Sequence, residues 1–235
     1  MDLTRFKVLT FDIVGTCVDF ERGVLDGIRR FGGPKAAGLD DDSIFAPYVE
    51  ARDLYHGRTS EAFGDVYLQV AKVLDLDMSE MAAAGFQAAI LNLPVFPDSV
   101  EALARLRRYY RLVAMTNADR VAYSAYAHSL GLPFDDAITC DEARCSKPDP
   151  RFFDYNRGRQ SAFGFKQEDI LHVAQSQHHD IGVAHSLGYK TCWIERRHDQ
   201  NGFGGTPTPP VVTTPDLHLT SLAELADRVE AAFAK

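Results

Sequence analysis

The sequence predicts an α/β fold, a doubly wound parallel sheet with a helical insert after the first strand. Three observations predict it. Short apolar runs recur along the chain and end in a polar residue or a turn signal. Helical stretches with cap-like ends separate most of these runs, the alternation that a parallel sheet requires. That alternation breaks once, from about residue 18 to 93, where the chain reads as helical throughout.

Taken in order, "FKVLTFDIV" is the first strand and stops at Gly15-Thr16. The insert follows with "FERGVLDGIRRF", "IFAPYVEARDLYHG", "TSEAFGDVYLQVAKVLDL" and "SEMAAAGFQAAIL", and it exits through the two prolines of "LPVFPDS". At this point in a parallel sheet an insert sits over the strand C-termini as a lid. A helix is expected over 98–109 with Ser99 as its cap. The strand "RLVAMTNAD" (111–119) ends in Thr116-Asn117, and the helix "DRVAYSAYAHSLG" (119–131) closes on Gly131. "DAITCDEA" (136–143), "ILHVAQSQ" (170–177) and "KTCWIER" (190–196) are further strands, and "DIGVAHSLG" (180–188) is a helix ending at Gly188. "NGFGGTPTPP" (201–210) reads as an exposed loop. The division expected is a core of residues 1–17 and 94–235 with a cap of residues 18–93.

Composition narrows the function. The 235 residues suffice for one core with a smaller insert, and 46% hydrophobic with 25% charged residues is ordinary for a soluble globular protein. A formal net charge of −8 argues against a nucleic-acid or anionic-membrane partner, since both need a basic footprint. The sequence contains no apolar run of membrane-spanning length, and "MDLTRFKVLTFD" lacks a signal-peptide pattern. The four cysteines, Cys17, Cys140, Cys145 and Cys192, lack C-x-x-C spacing, as in a protein of the reducing cytoplasm.

Four segments carry the chemistry: Asp12 with Thr16, Thr116 with Asn117, Lys147 in "CSKPDPRFF", and Gln175 to Asp180 in "AQSQHHD". Each alone reads as a cap, a turn or a solvated loop. In this order and spacing they resemble the haloacid dehalogenase superfamily, over nearly the whole chain, with the helical insert in the cap position. The resemblance implies a Rossmann-like core. Most members are Mg²⁺-dependent phosphatases with the signature D-x-D-G-T and a second motif Gly-Asp-Ser-x-x-Asp. Here Val14 stands where the acid/base aspartate belongs and Gln175 where the metal-binding aspartate belongs. Mg²⁺ prefers anionic oxygen ligands, and phosphate-ester cleavage needs a proton for its leaving group. Halide is a stable anion and needs none, so an apolar residue at position 14 suits carbon–halogen cleavage.

The L-2-haloacid dehalogenases of the superfamily depart in the same way. Their Ser-Ser-Asn-x-x-Asp motif is matched here at Ser176 and Asp180, while Gln175 and Gln177 replace Ser and Asn. The resemblance implies a metal-independent hydrolase without cofactor. It would act at the sp³ carbon of a small 2-substituted carboxylic acid as an (S)-2-haloacid dehalogenase. Asp12 would be the nucleophile forming an ester, Lys147 and Thr16 its partners, and Asp180 the residue directing water. Thr116 and Asn117 would bind the substrate carboxylate or leaving group, with the backbone of Ile13 and Val14. Ser176 and Gln177 would support Lys147 and Asp180. Arg52 lies about one helical turn from the position of the family's cap arginine, and residues so spaced share a helix face. Of His178 and His179, which have no counterpart in that pattern, His179 is the candidate substrate contact. A strained cyclic amine such as azetidine-2-carboxylate is the alternative substrate, and a phosphate ester the next. A homodimer is left open, with no heptad or apolar seam to specify one.

Overall fold

In the computed structural model, which describes residues 1–55 and 58–234, six parallel strands lie in the order β3-β2-β1-β4-β5-β6. They are β1 (Val8–Phe11), β2 (Arg111–Thr116), β3 (Asp136–Thr139), β4 (Ile170–Ala174), β5 (Lys190–Ile194) and β6 (Leu217–Leu219). The chain winds outward from β1 to one edge, then restarts on the other side of β1. The doubly wound sheet is therefore as expected. β1 and β4 meet where the winding reverses, the place where such sheets bind ligands beyond the strand C-termini.

Sequence explains why these strands sit inside. β1 reads Val-Leu-Thr-Phe and all four residues are buried, as a parallel sheet covered on both faces demands. Leu9 and Phe11 join the larger apolar core, and Val8 joins a second cluster with Val113, Met115, Ile138, Phe152 and Phe153. The period-2 alternation thus feeds two cores, one on each face.

Four helices fill the insert: α1 (Phe20–Phe31), α2 (Asp41–Leu54), α3 (Thr59–Leu74) and α4 (Glu80–Ile90). Their starts are set locally. Asp19, Asp40 and Ser79 accept backbone N–H bonds from Arg22, Ser43 and Ala82 at the first turns of α1, α2 and α4. On α1, Val24, Leu25 and Ile28 form one buried stripe, while Arg29 and Arg30 occupy the last turn, where cations are favoured by the helix dipole. α3 packs between α2 and α4, and α4 packs on α1. The His56–Gly57 end of one predicted helical stretch lies outside the described residues.

The core helices are α5 (Ser99–Leu106), α6 (Arg120–Ser129), the short α7 (Cys140–Ala143), α8 (Pro150–Ser161), α9 (Gly182–Ser186) and α10 (Leu222–Phe233). Three expectations need correction. Ser99 is the first helical residue rather than a cap, and its hydroxyl donates to the Cys17 carbonyl at 2.8 Å. Asp98 precedes it, but its carboxylate serves the start of α10, accepting from Leu222 N–H at 2.7 Å. The strand over 136–143 stops at Thr139, and Cys140–Ala143 is helical. The helix at 180–188 begins as a π-turn at Gln177–Ile181, continues as α9 and reaches Gly188 at φ +80°. β6 and α10 escaped sequence reading, the strand because three residues are too few for a periodic signal. Among the described residues no helix is long and apolar enough to cross a membrane.

Asp119 couples the insert to the sheet. One carboxylate oxygen caps α6 by accepting from Ala122 N–H at 2.9 Å, and the other accepts from Ser60 N–H of α3 at 2.7 Å. Asp119→Ala removes a cap and leaves a second N–H without its partner, so a loss of about 2 kcal/mol is expected. Urea unfolding with an unchanged m-value measures it.

Candidate active site

β1 delivers Asp12 to the crest of the sheet, where its N–H donates to Val173 O of β4 at 3.0 Å. The chain then turns at Gly15, whose φ of +97° is a left-handed value that favours glycine. A Cβ there would also press on Phe20 and the Gln175 side chain. Within this turn the Thr16 hydroxyl donates to Asp12 Oδ2 at 2.8 Å and accepts from Gln175 N–H at 2.8 Å. Arg196 fixes the turn from outside. Its guanidinium donates to Thr16 O at 2.9 and 3.1 Å and forms an ion pair with Asp98.

Lys147 is not at a strand end. It lies in the loop after α7, and Asn117, just beyond β2, holds its backbone from both sides. Lys147 N–H donates to Asn117 Oδ1 at 2.7 Å, and Asn117 Nδ2 donates to Lys147 O at 2.8 Å. The buried ammonium therefore projects inward. It donates to Asp12 Oδ1 at 2.8 Å, Asp180 Oδ1 at 2.6 Å and Met115 O at 2.8 Å. All three of its hydrogens are used.

Asp180 sits on the π-turn after β4, capped by Ser176, whose Oγ accepts from His179 N–H at 2.9 Å. Its Oδ1 is shared by Lys147 and by His172 Nε2, the latter at 3.1 Å. Its Oδ2 is buried and has no hydrogen-bond partner among the described residues. His172 was missed by sequence reading because it lies inside a strand, where a histidine carries no motif.

The cavity above these groups has a volume of about 260 Å³. Its floor is polar, with Asp12, Asn117, Lys147, Gln175, Ser176 and Asp180, and Val14 lies beside Asp12 as the apolar member. Its roof comes from the insert: Phe20 and Val24 of α1, Tyr48 and Arg52 of α2, Phe63 of α3, and Ile90 of α4. Arg52 thus reaches the cavity. Its Nη1 donates to Gly205 O at 3.0 Å, and its Nε and Nη2 donate to Asp53 at 3.3 and 3.0 Å.

That Gly205 contact corrects another expectation. The 201–210 stretch is not simply exposed. Gly205 and Thr206 are buried, Thr206 and Pro207 line the cavity, and Gly205 N–H donates to Glu21 at 2.8 Å. Glu21 is also ion-paired with Arg197. No apolar periodicity marks this strap, so composition alone sent it to the surface.

His178 and His179 both face the cavity. Burial, with Arg52 and Lys147 nearby, lowers His179 to about 3 against the pull of Asp180, which leaves the ring neutral at neutral pH. Other expectations do not carry over. Thr116 is buried, its hydroxyl accepts from Ala118 N–H at 3.1 Å, and it is absent from the cavity wall among the described residues. Ile13, expected to contribute its backbone, is absent from the cavity wall among the described residues, and its side chain packs into the core. Gln177 faces away, exchanging bonds with the Thr213 backbone at 2.9 and 3.2 Å. Ser176 reaches the wall, but its hydroxyl serves His179 rather than Lys147.

Two carboxylates share one ammonium, so the buried group carries a net negative charge. For Asp180, burial raises the pKa, but Lys147 and His172 outweigh it and hold the acid at about 2. For Asp12, burial and the Asp180 charge win over Lys147 and Thr16, and the pKa is raised. For Lys147, burial works against the cation, but both carboxylates together raise it. The result is an aspartate that remains unusually basic, facing an apolar valine instead of a proton donor.

A family profile described as haloacid dehalogenase-like hydrolase matches residues 6–188. The chain is 32% identical over 203 residues to haloacetate dehalogenase H-2 of Moraxella sp. (strain B), covering 83% of this chain and 88% of that protein. It is 22% identical over 197 residues to (S)-2-haloacid dehalogenase 4A of Burkholderia cepacia, covering 81% and 84%. Among solved structures, L-2-haloacid dehalogenase from Xanthobacter autotrophicus with chloropropionic acid covalently bound aligns with a TM-score of 0.73. That match has 18% identity and covers 96% of this chain and 98% of the other, which shows a shared fold.

The raised Asp12 pKa has a consequence for stability. An acid whose folded pKa lies above its unfolded one binds its proton more tightly when folded. Its ionisation therefore destabilises the fold as pH rises past the unfolded value, and this penalty is absent below it. Asp12→Asn should raise the Tm at pH 7, and the gain should shrink as the pH falls towards 4. Paired melting curves over that range check it.

Proposed function

The chain belongs to the haloacid dehalogenase-like hydrolase family, and we propose that it is a 2-haloacid dehalogenase that works through an ester on Asp12 without a metal. One observation carries this reading. The buried Asp12 carboxylate faces the cavity with Val14, where the phosphatases of the family carry their acid, beside it and with Lys147 and Asp180 behind it. The names of the two curated relatives, both dehalogenases of small halo acids, support it.

In the first step an Asp12 oxygen attacks C2 of the halo acid from the side opposite the halogen. The C–O bond forms as the carbon–halogen bond breaks, and halide leaves with the electron pair and needs no proton. Lys147 and Thr16 orient the carboxylate, and Lys147 keeps part of its charge compensated. Arg52 supplies positive charge from the roof for the substrate carboxylate or the departing halide. In the second step a water held by Asp180 Oδ2 attacks the Asp12 carbonyl carbon. Asp180 takes a proton from the water, the bond between the Asp12 carbonyl carbon and the ester oxygen breaks, and Asp180 passes that proton to the departing alkoxide. The 2-hydroxy acid leaves with one original Asp12 oxygen, and Asp12 keeps the water oxygen and releases the remaining proton to solvent. An (S)-halo acid would give the inverted product.

A divalent cation does not fit these residues. The position suited to an anionic ligand is the neutral Gln175, and Lys147 already occupies the facing oxygens of Asp12 and Asp180. Among the described residues no cluster of three His, Cys, Asp or Glu side chains is arranged to hold a metal. Ring-amine and phosphate-ester substrates draw no support from the cavity or from the relatives. The substrate partner is a small halogenated carboxylic acid.

Two experiments test the reading. A single turnover of a 2-chloro acid with enzyme in excess, in H₂¹⁸O with EDTA, should place label in Asp12 and little in the product. Full label in the product and none in Asp12 would mean direct attack by water. Arg52→Ala should lower kcat/KM at least tenfold, about 1.4 kcal/mol of transition-state stabilisation. An unchanged value in a folded variant would remove Arg52 from the mechanism.

A further inference from the structure

His172 is a titratable side chain sealed inside the sheet, and neither step above uses it. It lies on β4 directly opposite Thr10 of β1 in the strand register. The two side chains meet on one face of the sheet, with Thr10 Oγ1 2.9 Å from His172 Nδ1. The Phe153 ring packs edge-on against the imidazole at 5.2 Å. The other ring nitrogen, Nε2, lies 3.1 Å from Asp180 Oδ1. Because an ionised carboxylate can only accept, Nε2–H donates to Asp180, while Nδ1 is held by the Thr10 hydroxyl.

We infer that His172 is a positioning residue for the hydrolytic half-reaction. It holds Asp180 by Oδ1, which leaves Oδ2, without a hydrogen-bond partner among the described residues, as the acceptor for the hydrolytic water. The inference rests on the ester mechanism above.

The backbone does not supply this aim. Asp180 is carried on a π-turn, with Ile181 N–H bonded back to Ser176 O, so its side chain lacks the regular helical environment of a capped α-helix. Lys147 alone would leave the carboxylate free to pivot about one hydrogen bond, and its ammonium is shared with Asp12 and Met115. A second donor on the same oxygen removes that freedom. The buried Oδ2, which lacks a hydrogen-bond partner among the described residues, is what remains for water. Thr10 fixes the ring in turn, and it is built on the same strand that presents Asp12.

A loss confined to ester hydrolysis has a distinctive signature. Halide departure is the first irreversible step, so kcat/KM reports alkylation, while slow hydrolysis lowers kcat and KM together. His172→Leu is therefore expected to lower both by about tenfold or more with kcat/KM unchanged. A burst of one halide per site should accompany it, with a mass increase on the peptide containing Asp12. His172→Gln keeps an N–H near the Nε2 position and should recover most of kcat. Thr10→Val, which frees the ring without deleting it, should show the same pattern more weakly, and it carries the test should His172→Leu not fold. A fall in kcat/KM without ester accumulation, or no change in any variant, would overturn the inference. The wild-type ¹⁸O experiment fails or succeeds independently, so failure of the ester mechanism is distinguishable from failure of the role given to His172.

Discussion

The buried ammonium of Lys147 is the constraint from which the rest of the site follows. Removing such a charge from water costs several kcal/mol unless its hydrogens are all accepted. Here they are accepted by residues from three separate parts of the chain: Asp12 after β1, Met115 on β2 and Asp180 after β4. Those partners come together only when β1 stands between β2 and β4. Assembly of the sheet and assembly of the site are thus one event. Asn117 extends the same logic to the backbone, because two bonds to the Lys147 peptide set where the ammonium projects.

One cation between two buried anions leaves a charge that the fold must tolerate. The burden is unequal. Asp180 receives two donors on a single oxygen and remains strongly acidic, while Asp12 is left with a raised pKa. Such asymmetry sets apart two carboxylates that are identical in composition, and a site of this kind gives up stability for reactivity. The neighbouring Val14 completes the contrast by offering neither a proton nor an oxygen ligand.

The polar floor belongs to the sheet and most of the apolar roof to the insert, so the cavity exists only where the two meet. The strap through Gly205 ties them. Its N–H binds Glu21 of α1, and its carbonyl receives Arg52 of α2. A single residue after β5 therefore bears on the placement of the roof's guanidinium. Asp119 provides a second tie by capping α6 while binding Ser60 of α3.

Much of this was legible in the sequence because its signals are local. Apolar runs, caps and turn glycines pointed to the alternation of strands and helices and to the place of the insert, and the resemblance of four short motifs to a known family pointed to Asp12, Lys147 and Asp180 as a set. What sequence could not determine were relations between segments distant along the chain. Thr116 and Gln177 carry residue types suited to binding, but Thr116 bonds to its own turn and Gln177 to the Thr213 loop. Arg52 stood one turn from its expected place and still reaches the cavity, because Gly205, far along the chain, meets it there. His172 looked like any strand residue until pairing of β4 with β1 set it between Thr10 and Asp180. Local pattern specifies which elements form. Which side chain faces which is decided by strand register and by the packing of the insert, and those exist only in the folded chain.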